Sequence, residues 1–314
     1  MRTIPPHGPG FAGAPVHTDP ARLPAGFAYL GIPYGVPYGM HDVHPPSATA
    51  PAAVRRVAEQ FIGELHHYDF DIGGPVFEEG DLRLSDAGDV PGDPYDVPET
   101  AAAATRTVSG MVERGIVPLV VGGDHSIPPL VVAALRDRGP IDVVHIDAHL
   151  DFRDEVNGVS GGYSSPIRRL RELPWVGTIV QAGLRGPGSA RTQEVEAALE
   201  AGNLLFTAET IHERGVEPVL ETLEPGRGVY LTVDIDGIDP GTAPAATWPA
   251  PGGLTYTQMV QLLRGIVARG PLAGMDVCEY APARDVNDLT ALFIARLLLV
   301  AIGATRLAGD ARRD

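Results

Sequence analysis

Five short apolar runs set the terms for this chain: Val117–Val121, Ile141–Ile146, Val176–Ala182, Val229–Val233 and Leu272–Val277. Each is rich in β-branched residues, closes on polar side chains, and is separated from the next by helix-patterned sequence. A continuous apolar run without polar alternation belongs to a strand buried on both faces, and strands that alternate with helices build a parallel sheet covered on each side. Phe27–Gly31 reads as an earlier strand. A helix starts near Ala52 and carries Val54, Val57, Phe61 and Leu65 on one face, and further helices run over about Glu99–Arg114 and Pro128–Arg138. Asp69–Pro98, punctuated by Gly-Gly, Ala-Gly-Asp and Gly-Asp-Pro, reads as turns. The expectation is an α/β chain with one three-layer domain over residues 27–314, its parallel β-sheet lying between helices. An irregular Pro- and Gly-rich arm, residues 1–26, precedes it.

The remaining composition narrows the function. A formal net charge of -16 argues against nucleic acid or an anionic membrane as partner and accords with a small cationic substrate, although most of that charge is solvated surface. The single cysteine, Cys278, allows no disulfide within the chain. Met1–Phe11 lacks a basic-then-apolar signal pattern, and the longest apolar run, Leu297–Ile302, is too short to span a bilayer. A cytoplasmic enzyme is the expected reading.

Ligands of such sheets bind beyond the carboxyl ends of the strands, so the residues that follow each run matter most. They are Gly122-Gly-Asp-His-Ser126, Asp147-Ala-His-Leu-Asp151, Asp234-Ile-Asp-Gly-Ile-Asp239 and Glu279. Four strand ends, distant in sequence, bring carboxylates and imidazoles to one edge. Carboxylates crowded together raise one another's pKa. Two divalent cations remove that conflict, and Asp and His suit Mn²⁺, Zn²⁺ or Ni²⁺ without a thiolate. The i, i+2 spacing of Asp147, His149 and Asp151, and of Asp234 and Asp236, sets these side chains on one side of extended backbone. Each piece alone has a plainer reading: His125 as a hydrogen-bonded loop histidine, the Asp-Gly and Asp-Pro pairs near residues 236–240 as a turn, His145 as a buried, satisfied histidine. The set in this order does not.

Gly-Gly-Asp-His-Ser (122–126), Asp-Ala-His-x-Asp (147–151), Asp-x-Asp-x-x-Asp-Pro (234–240), Pro-Gly-Gly-Leu-Thr (251–255) and Asp276-Val-Cys-Glu279-Tyr-Ala-Pro282 resemble the signature motifs of the arginase/agmatinase (ureohydrolase) family, over residues 27 to 305. The resemblance implies an arginase-like fold and a binuclear centre of two Mn²⁺ per chain, with Ni²⁺ as the alternative. His125, Asp147, Asp151 and Asp234 would hold one ion, and Asp147, His149, Asp234 and Asp236 the other. Glu279 matches the acidic residue that binds the guanidinium. Asp124 and Asp276 fit hydrogen-bonding partners that orient ligands, and Cys278 fits the core. The implied activity is hydrolysis of a C–N bond in a guanidino compound to urea and an amine, by a homo-trimer or homo-hexamer.

Three departures bear on the substrate. Where many family members carry His-Gly-x-Pro, with a proton-shuttling histidine, this chain has Gly161-Gly-Tyr-Ser-Ser-Pro166, and Tyr163 takes the histidine's place. A phenol with a pKa of ~10 is a poor shuttle at neutral pH, so Tyr163 either binds substrate, relays through water or only closes the rim. Asp151 and His41 are the candidates to return the proton. Thr247-Trp248-Pro249 replaces Gly-Thr-Pro, and Trp248 is set to stack on a guanidinium, cover the pocket floor or simply pack. Gly35 stands where an Asp is common, followed by His41, Asp42 and His44. Asn157 and Ser160 fall in the loop where arginases bind an amino-acid carboxylate, while Arg153 and Arg168 offer themselves to a carboxylate tail. An agmatinase-like or guanidino-acid hydrolase is therefore favoured over a true arginase. The rivals are a formiminoglutamase-like amidine hydrolase, a one-metal deacetylase that the Asp234/Asp236 pair argues against, and a catalytically silent ureohydrolase-like subunit.

Overall fold

The computed structural model describes residues 2–24, 26–39, 45–93, 95–187 and 190–311. The chain runs β1 (Phe27–Ile32), α1 (Ala50–Ala58), β2 (Tyr68–Asp69), β3 (Gly74–Pro75), β4 (Leu84–Asp89), α2 (Val97–Val112), β5 (Val117–Gly122), α3 (Pro128–Ala133), β6 (Ile141–Ile146), α4 (Pro166–Arg171), β7 (Val176–Leu184), α5 (Thr192–Glu200), β8 (Leu204–Thr207), α6 (Ala208–Arg214), α7 (Glu217–Leu220), β9 (Gly228–Asp234), α8 (Tyr256–Arg269), β10 (Leu272–Cys278) and α9 (Leu289–Ala311). Eight strands form one sheet in the order β4-β1-β5-β10-β9-β6-β7-β8, with every neighbouring pair parallel. The two-residue strands β2 and β3 pair separately as a small antiparallel hairpin.

Successive strand residues feed two different cores, which is why the runs are apolar throughout. Leu119, Val121, Val144, Ile146, Leu231 and Val233 face the layer of α1, α6, α7, α8 and α9. Val120, Val143 and Tyr230 face α2, α3, α4 and α5 on the other side. The helix α9 is apolar all round because it packs within its layer against α1 and α8. By length and composition alone it is able to cross a membrane, yet 72% of its apolar window is buried inside the fold, as in a core helix. Residues before β1 make short helical turns and two bridges to the β4 edge, at Ile4–Asp89 and Val16–Asp86.

Three expectations need correction: the helix expected over about Pro128–Arg138 ends at Ala133, and Arg136–Arg138 forms a separate 3₁₀ turn. The helix carrying Val54 stops at Ala58, and Phe61 and Leu65 reach the core from a 3₁₀ turn and the loop after it. The segment read as turns contains a fully formed strand, β4, whose buried Asp86 is paired with Arg55 of α1 at 2.7 Å.

The strand order positions the site. β10 and β9 insert between β5 and β6, so the carboxyl ends of β5, β10, β9 and β6 stand side by side. Val277 lies opposite Val121, Cys278 opposite Asp234, and Ile146 opposite Val233. Such a reversal of strand order opens the crevice in which open α/β sheets bind ligands.

Candidate active site

Past β5 the chain turns through Gly123 and Asp124 to His125. A Cβ at position 123 would stand 2.5 Å from the Tyr34 carbonyl oxygen, so only glycine lets the first loop lie this close. Asp124 accepts hydrogen bonds from Ser126 N (2.9 Å) and Oγ (2.5 Å), and its carboxylate occupies the space that a side chain at Gly35 would need. It braces the loop that carries His125. Past β9, a Cβ at Gly237 would lie 2.7 Å from Asp147 N. Glycine there seats the Asp234–Gly237 turn on the end of β6, where Asp236 Oδ1 accepts from Ala148 N at 3.0 Å.

These turns bring together all six residues that the motifs single out as ligands. His125 Nδ1 is 3.1 Å from Asp147 Oδ2, 3.2 Å from Asp151 Oδ2 and 3.4 Å from Asp234 Oδ2. His149 Nδ1 is 2.9 Å from Asp236 Oδ2 and 3.3 Å from Asp147 Oδ1. Asp147 therefore belongs to both clusters, one oxygen to each. Glu279 joins them by accepting the His125 N–H on Oε1 at 3.0 Å. Asp151 and Glu279 both have left-handed backbone, with φ of 48° and 63°. That conformation costs a non-glycine residue ~1–3 kcal/mol and recurs at functional sites.

The next shell fixes the imidazoles. His125 Nε2 lies 2.9 Å from Thr232 Oγ1, which donates to Asp276 Oδ1 at 2.7 Å, while Tyr230 donates to the other Asp276 oxygen. His145 is fully buried and, as its plainer reading has it, fully partnered: Nε2 with Asp147 Oδ2 at 2.9 Å and Nδ1 with Gln181 Nε2 at 3.1 Å. Gln181 is held in turn by Asn203, and Asn203 by Arg171. Thr232, Gln181 and Asn203 escape any reading of motifs, because nothing marks a polar residue within or near an apolar strand as a site partner until the sheet is assembled. Cys278 is buried in the core, as expected.

Five carboxylates share this buried pocket with few counter-charges, and the protonation equilibria record the strain. Burial, then the charge of Asp147, pushes Asp151 up to about 7 and Asp236 up to about 6, and burial, then the charges of Asp236 and Asp147, raises Asp234 well above the carboxylate range. Burial and then Asp124 push Glu279 up to about 8. His149 rises to about 11 through its hydrogen bonds to Asp147 and Asp236. Burial opposes the charging of His125, but Asp147, Asp151 and Asp234 overcome it and hold its pKa far above the usual value. The pocket calls for cations. Its donors also fit divalent ions: neighbouring ligands of an octahedral shell at ~2.1 Å stand ~3 Å apart, which is the spacing around both histidine nitrogens.

A cleft of about 290 Å³ opens onto the clusters, walled by Tyr38, Arg153, Val156, Tyr163, Ser164 and Trp248. Tyr163 lies on this wall with its ring 4.5 Å from that of Tyr38, and Tyr38 accepts the Ser164 N–H at 2.8 Å. Trp248 is 65% exposed, which places it at the mouth and corrects its reading as a pocket floor. Asn157 and Ser160 are also corrected: both are exposed and neither lines the cleft, Asn157 standing in the turn closed by the Val156–Val159 bridge. Arg168 is drawn away to Asp154 (3.2 Å) and the Phe152 ring, whereas Arg153 faces the cleft. His41, Asp42 and His44 lie outside the described residues.

A family model described as the arginase family matches residues 29–303. The chain belongs to the arginase family. It is 32% identical to the mitochondrial agmatinase of Gallus gallus over 291 residues, which cover 90% of this chain and 82% of that one. It is 30% identical to the guanidinobutyrase of Pseudomonas aeruginosa, over 89% of this chain and 86% of that one. The structure of proclavaminate amidino hydrolase from Streptomyces clavuligerus superposes with a TM-score of 0.81 at 27% identity, covering 96% and 98% of the two chains. The eight-stranded sheet is thus the arginase-like fold, and the protein is a hydrolase of this family.

Proposed function

We propose that this arginase-family hydrolase cuts the C–N bond of a guanidino compound, adding water to give urea and an amine. The observation that carries the reading is Asp147, whose two oxygens serve two adjacent nitrogen- and oxygen-donor clusters around His125 and His149. His125, Asp147, Asp151 and Asp234 would hold one ion, and Asp147, His149, Asp234 and Asp236 the other, with Mn²⁺ the metal and Ni²⁺ the alternative. Bound there, the pair supplies Lewis-acid charge and a water acidified toward neutrality.

The chain's own groups do the rest. The Glu279 carboxylate, anchored on the His125 N–H, pairs with the guanidinium and holds its carbon at the clusters. Bound in the adjoining clusters, divalent ions would favour the ionised form of Glu279 that burial disfavours. As the C–N bond breaks, the leaving nitrogen takes a proton and departs as the amine. Asp151 is placed to hold that proton, since its oxygen lies in the cluster while the residue also lines the cleft. Tyr163 and Trp248 shape the mouth. A cytoplasmic homo-trimer or homo-hexamer belongs to the same reading.

The test is urea release over a panel of guanidino compounds, with Mn²⁺ and with Ni²⁺. Urea from at least one compound, dependent on metal, is expected. No urea from any member by fully metal-loaded protein overturns the proposal. Formamide from a formimino substrate would assign the formiminoglutamase-like chemistry instead.

A further inference from the structure

We infer that Arg153 selects the substrate by binding a carboxylate at the end remote from the guanidinium, so that the preferred substrates are ω-guanidino acids and not guanidino amines. This rests on the proposed ureohydrolase reading and extends it to substrate class.

Arg153 follows Asp151 by two residues, and its backbone N–H donates to the Ser164 carbonyl at 3.0 Å, which ties it to the loop that carries Tyr163. Its side chain is 19% exposed and lines the cleft. Nε lies 3.3 Å from Glu194 Oε1, but at an angle that makes no hydrogen bond. Glu194 is already committed. Its Oε2 accepts the Arg191 N–H at 2.5 Å in the cap of α5, and its Oε1 is 3.5 Å from Arg191 Nη1. Glu194 therefore sits at the Nε edge of the Arg153 guanidinium, and among the described residues no hydrogen bond engages the fork of terminal N–H groups on this cleft-lining side chain. A planar fork of this kind matches a carboxylate with two parallel hydrogen bonds.

The charge layout of the cleft points the same way. Its inner end holds Glu279 and the Asp clusters, which suit a cation. Arg153 is the one arginine or lysine among the described residues that line it. The same cleft wall carries Val156, Tyr38 and Tyr163, which suit a methylene chain. A molecule with a guanidinium at one end and a carboxylate at the other matches both ends. A guanidino amine would set its ammonium against Arg153, where like charges repel.

The experiment compares 4-guanidinobutyrate with agmatine, using metal-loaded wild type, Arg153→Met and Arg153→Lys. Urea release gives kcat/KM, and calorimetry gives binding separately. Wild type should prefer 4-guanidinobutyrate. Arg153→Met should lose ~10–100-fold in kcat/KM for the acid, mainly through KM, as expected for removal of a charge-assisted hydrogen-bonded pair. The same change should raise kcat/KM for agmatine severalfold. Arg153→Lys, which keeps the charge beside Glu194 but not the fork, should fall between. A wild-type preference for agmatine, or an equal loss on both substrates in Arg153→Met, overturns the assignment and leaves the ureohydrolase reading standing. Binding of the acid that depends on Arg153, with urea from neither compound, would overturn the ureohydrolase reading while supporting the assignment.

Discussion

Thr232 Oγ1 stands 2.9 Å from His125 Nε2 and gives its own proton to Asp276 Oδ1 at 2.7 Å. Since the hydroxyl has one proton and spends it on Asp276, it must accept from His125, so the imidazole carries its proton on Nε2. Nδ1 faces the oxygens of Asp147, Asp151 and Asp234, and once a cation displaces the second proton of the charged ring it presents its lone pair there, as a metal ligand requires. Thr232→Val keeps the shape and removes the link. The buried Nε2–H and the Asp276 oxygen lose their partner, at a cost of ~1–3 kcal/mol in stability. Metal affinity should fall ~10–100-fold. Thermal unfolding and metal titration check both, and Thr232→Ser should restore them. Unchanged metal affinity in Thr232→Val would remove the hydroxyl from the metal site.

Metal removal should expose the strain in the carboxylate pocket. In metal-stripped protein the folded-state pKa values of Asp236, Asp151 and Glu279, about 6, 7 and 8, lie above the ~3.9 and ~4.3 of unfolded carboxylates. A raised folded pKa contributes stability that is present at low pH and lost as pH rises through the folded value. His149, raised to about 11, acts in the same direction as the unfolded chain deprotonates near ~6.5, while the lowered pKa of His145 opposes over that step. The Tm of stripped protein should therefore fall from pH 6 to pH 8. Added Mn²⁺ should raise it, by a margin that widens across the same interval, because ions bind the ionised site. A stripped-protein Tm that climbs between pH 6 and 8 would contradict the electrostatics described.

The strands that matter most for chemistry are legible because both of their faces are apolar: β6 coincides with the run Ile141–Ile146, β5 and β10 exceed their runs by one residue at one end, and β9 exceeds its run by one residue at each end. The six clustered Asp and His residues followed from standing just past those ends. The edge strand β4 was hidden by its own sequence, Leu84-Ser-Asp-Ala-Gly-Asp89, which holds two carboxylates. Arg55, 31 residues away from Asp86, makes them tolerable by pairing with both. The four-residue β8 is too short to carry a pattern. The cleft walls were only partly legible, because which loop residues face inward depends on how the β1–α1 loop meets the segment after β6. That is why the sequence around Asn157 and Ser160 suggests an inward face that the fold does not make, while no motif marks Tyr38, whose hydroxyl meets Ser164.

Glu279 offers a separation of binding from metal retention. It touches the His125 backbone, not the imidazole. Glu279→Gln keeps the amide-accepting oxygen and removes the charge that pairs with a guanidinium. Urea release should fall by at least ~100-fold, the order of ~3 kcal/mol for a lost charged hydrogen bond. Metal content by elemental analysis should stay at two ions per chain. Wild-type turnover in this variant would show that the guanidinium is held elsewhere.

Tyr163 tests what the exchange of histidine for tyrosine has done. The ring is half-buried on the cleft wall, stacked at a tilt on Tyr38, whose hydroxyl is engaged with the loop backbone at Ser164. Residue 163 is thereby joined to a packed aromatic pair that sets the width of the mouth. A phenol that shapes the mouth contacts the substrate before and during reaction alike, and loss of such uniform binding appears in KM with kcat nearly unchanged. Tyr163→Phe keeps the ring pair and removes only the hydroxyl, so KM should rise about two- to tenfold, within the ~0.5–1.5 kcal/mol of one neutral hydrogen bond. Tyr163→Ala opens the mouth and should shift preference toward bulkier guanidino compounds. Steady-state urea release from pH 6 to 10 measures both. If the hydroxyl instead carried the proton to the leaving amine, Tyr163→Phe would lose kcat by several hundredfold at constant KM, with the alkaline limb of the profile removed. That outcome would transfer the acid role from Asp151 to Tyr163.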